Sequence, residues 1–306
     1  MHVWVPYEEF VSDVAQLSPD VNVSVYTGRD GIPADVGDVD FFVAPYATTA
    51  DALGVTERMS RLRVMQLLSA GYEHALPYLP SGVALCNARG VHDASTAELA
   101  VALMLASLRR FPRFVRAQDK HAWEPGQFQA LADKHVLILG YGSIGAAIDR
   151  RLRPFETTVT RVARAARPSD DVHGIDELPT LLPQADIVVV VTPLTAQTQG
   201  MVNAEFIKQM KQGALLVNVA RGAVVDTASL LAALEDRRIC AALDVTDPEP
   251  LPADHPLWDA PGLLISPHVG GNTSAFLPRA RRLVREQFAR FVNDQPLENV
   301  VVPGTR

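Results

Sequence analysis

Three side chains of complementary chemistry punctuate the second half of this sequence: Arg221, Glu249 and His268. Each sits in a Pro- or Gly-marked loop just past a short apolar run. Ala220-Arg221-Gly222 follows residues 214–219, and Thr246-Asp247-Pro248-Glu249-Pro250 follows 241–245. Pro267-His268-Val269-Gly270-Gly271 follows 263–266. An imidazole exchanges protons near neutral pH, so His268 is a candidate acid and base. A carboxylate beside it, Glu249, favours the imidazolium and fixes the ring. A guanidinium, Arg221, can clamp a carboxylate and polarise a carbonyl. If the preceding runs are strands of one parallel sheet, their carboxyl ends share an edge and the three converge on one crevice.

The element that organises such a sheet is His135-Val-Leu-Ile-Leu-Gly140-Tyr-Gly142-Ser-Ile-Gly145. Residues 136–139 read as a buried strand and 146–152 as the start of a helix. A Gly-x-Gly-x-x-Gly turn between strand and helix is the dinucleotide-binding fingerprint. Its glycines permit the tight turn, the approach of a pyrophosphate and close helix–strand packing, and the helix N-terminus offers N–H groups to phosphate. Residues 157–162 form the next strand. A carboxylate for the adenosine ribose hydroxyls is expected at its end, yet the sequence there is Ala163-Arg164-Ala165-Ala166-Arg167, with no acid before Asp170 and Asp171. Arg164 and Arg167 suit a 2′-phosphate, so NADP is the expected cofactor, with NAD possible. Residues 186–191 form a further strand, ending in Thr192-Pro193.

Residues 1–92 alternate strand-like pieces (21–26, 41–44, 64–68) with a candidate helix at 8–17 and imply a small, largely parallel α/β unit. The loops Ala44-Pro45-Tyr46-Ala47 and Ser69-Ala70-Gly71-Tyr72 follow two of those strands and are candidate substrate contacts. A helix over 95–110 opens with Ser95-Thr96-Ala97-Glu98, which reads as a capping box. Its apolar character nearly all round demands burial on several sides, at a domain junction and a homodimer interface. The last helix, about 274–293, sets Leu283, Val284, Phe288 and Phe291 against Arg279, Arg282, Arg285 and Arg290 and reads as a one-sided helix with a solvated basic face. The fold expected is α/β with two domains. One is a Rossmann-type doubly wound parallel sheet, residues 93–273; the other is a smaller flavodoxin-like α/β substrate domain, 1–92, to which 274–306 returns by a crossover helix.

Composition bounds the alternatives. With 306 residues, 48% hydrophobic and 21% charged, the chain is an ordinary globular one, and its net charge of −7 argues against nucleic acid as a partner. No apolar run reaches the roughly 20 residues that span a bilayer. Cys86 and Cys240 lie far apart inside apolar runs and read as reduced thiols, and the start of the sequence lacks the pattern of a signal peptide, so a soluble cytoplasmic protein is expected. His74, His92 and His121 lack ligand spacing, and no metal site is expected.

Taken together, these segments resemble the D-isomer-specific 2-hydroxyacid dehydrogenase family over nearly the full length. The resemblance is carried by Leu68-Ser69-Ala70-Gly71, Thr96-Ala97-Glu98-Leu99, Gly140-Tyr141-Gly142-Ser143-Ile144-Gly145, Thr192-Pro193-Leu194-Thr195 with Thr198, and Val217-Asn218-Val219-Ala220-Arg221-Gly222. Asp244-Val245, Glu249-Pro250, Pro256-Leu257-Trp258 and Ser266-Pro267-His268-Val269-Gly270-Gly271 complete it. It implies that Arg221, Glu249 and His268 form a catalytic set for hydride exchange between NADPH and a 2-oxo acid. It implies cofactor contacts from Gly140, Gly142, Ser143, Ile144, Gly145, Thr192, Pro193, Thr198, Val219, Ala220 and Gly270, with Asp244 facing the nicotinamide carboxamide. Backbone N–H groups of Ala70 and Gly71 would help hold the substrate carboxylate, with Tyr46 nearby. Bulky pocket candidates, Tyr46, Leu68, Tyr72 and Trp258, favour a short acid such as glyoxylate or hydroxypyruvate. Two positions depart from the family pattern: Ala163 stands where NAD users carry an acid, and Glu156 where Gly is common. Phosphite- or formate-type dehydrogenases and a non-catalytic corepressor-like protein are the alternatives of the same fold; the formate enzymes typically carry Gln at the Glu249 position.

Overall fold

Short strands, two to six residues long, form two sheets whose apolar side chains enter the core. The structure, a computed structural model, describes residues 1–29, 31–46 and 50–305, excepting the side chains of residues 50 and 51. It divides into two units, residues 1–92 with 274–306 and residues 93–273.

The first unit begins with β1 (His2–Val5), a 3₁₀ turn running into α1 (Val11–Ala15), β2 (Asn22–Val25), β3 (Phe41–Val43), α2 (Ala50–Gly54), β4 (Val64–Gln66) and β5 (Ala84–Cys86). Because side chains alternate along a strand, Val3, Val5, Phe41 and Val43 enter one apolar cluster, and Trp4, Phe42 and Met65 enter another on the opposite face. Strands β1 and β5, of four and three residues, escape the sequence reading.

The second unit contains α3 (Asp93–Leu108), α4 (Phe111–Asp119), β6 (His135–Leu139), α5 (Ser143–Leu152), β7 (Thr158–Ala163), β8 (His173–Gly174), α6 (Leu178–Leu181), β9 (Ile187–Val190), α7 (Ala204–Gln209), β10 (Leu215–Asn218), α8 (Thr227–Glu235), β11 (Cys240–Leu243) and β12 (Leu263–Ile265). Its seven strands pair in the order β8-β7-β6-β9-β10-β11-β12, every pair parallel. Strand β9 is buried along its whole length, as a strand covered on both faces must be. The order reverses at β6, which makes the carboxyl edge beside it the switch point where α/β sheets bind ligands.

The capping box read at Ser95 is corrected. Helix α3 begins at Asp93, so Ser95 already lies in its first turn. The Ser95 hydroxyl bonds Thr273 Oγ1 at 2.8 Å instead, and the Glu98 carboxylate pairs with Arg151 at 3.4 Å. The helix packs on α5 and on β10 to β12, which explains its apolar surface within the unit. Helix α5 also starts earlier than read, at Ser143, so Gly145 is helical.

The chain then returns to the first unit through α9 (Phe276–Val292) and β13 (Val300–Val302), which pairs antiparallel with β5. The first sheet therefore runs β2-β1-β3-β4-β5-β13, the flavodoxin-like order with one added strand. Leu283, Val284, Phe288 and Phe291 of α9 are buried, and Arg281 forks onto Asp13 at 2.6 and 3.0 Å. Cys86 is buried, and desolvation pushes its thiol up to about 12, so it is an inert core group. No described helix is long and apolar enough to cross a membrane.

Candidate active site

The loop after β12 is held in shape by one carboxylate. Asp244, 2% exposed at the end of β11, accepts the Ser266 hydroxyl at 2.5 Å and the Val269 N–H at 2.9 Å on Oδ1, and the Gly270 N–H at 2.8 Å on Oδ2. Its backbone carbonyl takes the His268 N–H at 2.7 Å. Three successive amides are thus tied to one residue, and between them His268 adopts the left-handed region, φ 52°. That conformation costs a non-glycine residue roughly 1 kcal/mol or more, and it persists because the surrounding bonds over-determine it. The ring is thereby turned so that Nδ1 meets Glu249 Oε1 at 2.5 Å. With Nδ1 donating to the carboxylate, Nε2 is the nitrogen left to work; it has no partner among the described residues. Beside the pair lies a cavity of about 290 Å³ walled by Pro250, Leu251, Trp258 and Ile265. The Trp258 indole is fixed by donating to the Pro252 carbonyl at 2.8 Å.

Arg221 follows β10 by a similar device. Asn218, fully buried, accepts the Ala220 N–H at 3.0 Å and donates to the Arg221 carbonyl at 2.9 Å, clamping the corner. The Arg221 guanidinium donates to the Ala220 carbonyl at 2.7 Å. Gly222 has no spare room: an added Cβ would sit 1.9 Å from the Thr246 carbonyl oxygen. The Arg221 corner therefore packs directly on the loop that carries Glu249. Strands β10, β11 and β12 are neighbours in register, so Arg221, Glu249 and His268 leave the same edge in succession.

Across the same edge lies the glycine loop. Gly140 has φ 110°, and a Cβ there would lie 2.7 Å from the Val191 carbonyl carbon and oxygen. One on Gly145 would lie 2.6 Å from the Gly140 carbonyl oxygen, whereas one on Gly142 would meet nothing within 4 Å. The loop is therefore packed below and open above. The N-cap Gly142 brings no side chain to the first N–H groups of α5, those of Ser143 and Ile144 among them. The Ser143 hydroxyl is engaged with Asp93 at 3.2 Å. Thr192 Oγ1, after β9, is buried without a hydrogen-bond partner in the described structure. Thr198 turns its hydroxyl onto the Pro193 carbonyl at 2.6 Å and accepts the Thr195 N–H at 2.8 Å, so it shapes the Thr192-Pro193 loop from within. Val219 and Ala220 lie at the end of β10, both almost fully buried.

At the end of β7, Arg164 is exposed and makes no side-chain hydrogen bond or ion pair among the described residues. Arg167 reaches back to the Tyr141 carbonyl of the glycine loop at 2.9 Å and lies 3.7 Å from Asp170. Beneath them is a residue the sequence reading missed. Asp149 of α5, 1% exposed, accepts the Tyr141 hydroxyl at 2.7 Å, Arg161 at 3.1 Å and Arg153 at 3.3 Å. Burial alone would raise its carboxyl, but those hydrogen bonds and the two guanidinium charges outweigh it and hold it below the ordinary value.

In the first unit, Ala70 and Gly71 follow β4 and are partly exposed. Tyr46 follows β3 and stacks on His92 (ring centroids 5.2 Å apart) and Phe276 (4.4 Å). Leu68 is 1% exposed and belongs to the same apolar cluster as Val64 and Phe41, so its reading as a pocket residue is corrected: its side chain is used in the core. Tyr72 packs partly against the opposite core. Ala47 lies outside the described residues.

The model of the D-isomer specific 2-hydroxyacid dehydrogenase NAD-binding domain matches residues 101–270. The glyoxylate reductase/hydroxypyruvate reductase of Homo sapiens is 36% identical over 226 residues, 70% of this chain and 69% of that protein. The chain belongs to the D-isomer-specific 2-hydroxyacid dehydrogenase family. The glyoxylate reductase of Thermococcus onnurineus (strain NA1) is 33% identical over 87% of this chain and 84% of its own. A D-isomer specific 2-hydroxyacid dehydrogenase from Xanthobacter autotrophicus Py2, solved in complex with NADPH and MES, superposes with a TM-score of 0.82 at 29% identity, covering 99% of both chains.

The family's NAD(P) fits this edge on local evidence: the open space at Gly142, the uncapped start of α5 and the orphaned Thr192 hydroxyl. The family's frequent glycine before β7 also has its reason here. Glu156 sits at φ 59°, a conformation glycine adopts without strain. Asn218 and Ser266, both inside the motifs that carry the resemblance, hold backbone and carboxylate in place, and a polar side chain at the end of a strand is the sequence signal for such a role.

Proposed function

We propose that this dehydrogenase reduces a small 2-oxo acid such as glyoxylate or hydroxypyruvate, with NADPH as the favoured cofactor. The observation that supports this chemistry most directly is the 2.5 Å contact between His268 Nδ1 and Glu249, which leaves Nε2 available to a substrate. When bound, the cofactor supplies the hydride. Arg221 clamps the substrate carboxylate and polarises the adjacent carbonyl. His268 Nε2 delivers a proton to the carbonyl oxygen as it gains charge, and Glu249 steadies the imidazolium; in the oxidative direction neutral Nε2 accepts the hydroxyl proton. Asp244 and Gly270, at the loop that aims His268, would hold the nicotinamide end of the cofactor, with a remaining lone pair of the Asp244 carboxylate available to its carboxamide. By the family resemblance, backbone N–H groups of Ala70 and Gly71 would be further donors for the carboxylate, and Tyr46 a further substrate contact. Glu249 itself speaks against formate oxidation, which requires no acid–base pair.

The proposal extends to a homodimer, which exposed apolar surface supports. Trp123 is 94% exposed, Val115 58% and Phe111 51%. Side chains of that size seldom lie bare together in a monomer. They support a homodimer through α4 and the segment after it, rather than through α3, whose apolar surface is largely used within its own unit. A panel of 2-oxo acids with NADPH and with NADH, followed by loss of reduced-cofactor absorbance, tests the reading. Absence of turnover with every short 2-oxo acid would overturn it.

A further inference from the structure

Four consecutive peptide carbonyls after β4 are each tied down by a donor. His92 Nε2 meets the Leu68 carbonyl at 2.7 Å, and the Ala88 N–H meets that of Ser69 at 2.8 Å. Asn87 Nδ2 donates to the Ala70 carbonyl at 2.7 Å, and the Ser69 hydroxyl to that of Gly71 at 2.7 Å. In a trans peptide the C=O and the following N–H point opposite ways, so fixing the oxygen fixes the hydrogen. The N–H groups so oriented belong to Ser69, Ala70, Gly71 and Tyr72. Among the described residues none of these four meets an acceptor, although all four residues are partly exposed. Unpaired successive N–H groups of this kind make an anion-receptive concavity.

The donors are themselves immobilised. Asn87 is 9% exposed and also accepts the Arg89 N–H at 3.2 Å. The carbonyl of Asn87 takes the Gln66 side-chain amide at 3.1 Å, and Gln66 is bonded in turn to Gln287 of α9 at 3.0 Å. His92 is 6% exposed, in the ring stack with Tyr46 and Phe276.

We propose that Ser69, Asn87 and His92 are positioning residues that hold the 69–72 loop with its N–H groups outward, ready for the substrate carboxylate before it arrives. The inference rests on the reading that this loop receives the carboxylate, and it adds Tyr72 N–H to the donors. A loop pre-formed in this way binds without first having to order itself, so its loss appears in affinity rather than in turnover.

The test uses Ser69→Ala, Ser69→Thr, Asn87→Asp and His92→Phe in the full chain. Oxalate binding is measured by calorimetry with and without NADP, alongside glyoxylate KM and kcat. Ser69→Ala and Asn87→Asp should each weaken oxalate and raise KM by about three- to tenfold, as one lost hydrogen bond allows. The kcat and the NADP affinity should stay within about twofold, and Ser69→Thr, which keeps the hydroxyl, should restore binding. His92→Phe keeps a stacking ring while losing the donor and should weaken oxalate similarly. Unchanged oxalate affinity in Ser69→Ala and Asn87→Asp, or an equal loss in Ser69→Thr, overturns the proposal. Ala70→Pro and Gly71→Pro, which delete the N–H groups themselves, separate the two levels. If both still unfold cooperatively and bind oxalate normally, the loop does not receive the carboxylate. If they lose oxalate while Ser69→Ala and Asn87→Asp keep it, only the positioning roles fail.

Discussion

His268 and Glu249 are joined at 2.5 Å through Nδ1 although 19 residues separate them in sequence. The contact exists because β11 and β12 are adjacent parallel strands whose following loops fold over one edge. His268→Ala should therefore abolish reduction by on the order of 10²–10⁴-fold while leaving NADPH binding, read by fluorescence titration, nearly unchanged. Near wild-type turnover would remove His268 from the mechanism. Arg221→Lys should also lose most activity, since an ammonium cannot reproduce the planar fork. Glu249→Gln should retain part of it, because an amide can still orient the ring but cannot neutralise the imidazolium.

Asp149 links the glycine loop to stability. Its carboxyl is lowered in the folded protein, so its contribution is fully present above the unfolded value near pH 4 and is lost as pH falls through the lower folded value. Asp149→Asn should destabilise the protein by on the order of 2 kcal/mol at pH 7, because it leaves the Arg161 and Arg153 charges without their anion. Urea unfolding at pH 7 and at pH 3 should show the difference from wild type shrinking at the lower pH. An equal gap at both would mean that packing, not charge, makes Asp149 matter.

The parts of this molecule that follow from periodicity and glycine spacing were legible in the sequence. The strand at β6, the loop Gly140–Gly145 and the strand-end positions of Arg221, Glu249 and His268 required only alternation, turn chemistry and the rule that parallel strands share an edge. What was not legible depends on long-range contact. Ser95 and Glu98 carry a capping pattern, yet Thr273 and Arg151 claim their side chains from 178 and 53 residues away. The short strands β1 and β5 form because neighbours cover both faces, not because three or four residues specify them. Asp244 looked like a cofactor contact, and only the folded loop shows that it carries the backbone of His268.

The exposed side chains of α4 and its following segment give a quaternary test. Trp123→Glu together with Val115→Glu places two charges on the bare apolar surface and should convert a dimer to a monomer in sedimentation at micromolar concentration. Neither residue belongs to the core, so far-UV circular dichroism and Tm should change little. A wild-type monomer of 33.2 kDa under those conditions would contradict the dimer outright. A dimer that survives both charges would move the interface elsewhere.

The proposed preference for NADPH rests on two arginines that the structure makes unequal. Ala163 ends β7 and has no side-chain acceptor to offer the ribose hydroxyls of NADH. Arg164, exposed and without a partner among the described residues, can swing to a 2′-phosphate; Arg167 already donates to the Tyr141 carbonyl at 2.9 Å. A well-placed charge-assisted contact is worth roughly 1.5–3 kcal/mol, more than tenfold in affinity, and solvent and salt reduce it at an exposed site. NADPH should therefore exceed NADH in kcat/KM by at least about tenfold at low salt, with the ratio falling as salt rises. Ala163→Asp with Arg164→Ala should reverse the preference, because an acid repels the phosphate and accepts the hydroxyls. Arg167→Ala should behave differently: it releases the glycine loop, so it should raise KM for both cofactors and change their ratio less than Arg164→Ala does. Equal use of NADH and NADPH by the wild type would show that neither guanidinium reads the phosphate. A ratio governed by Arg167 instead of Arg164 would show that the contact to Tyr141 gives way when the phosphate binds.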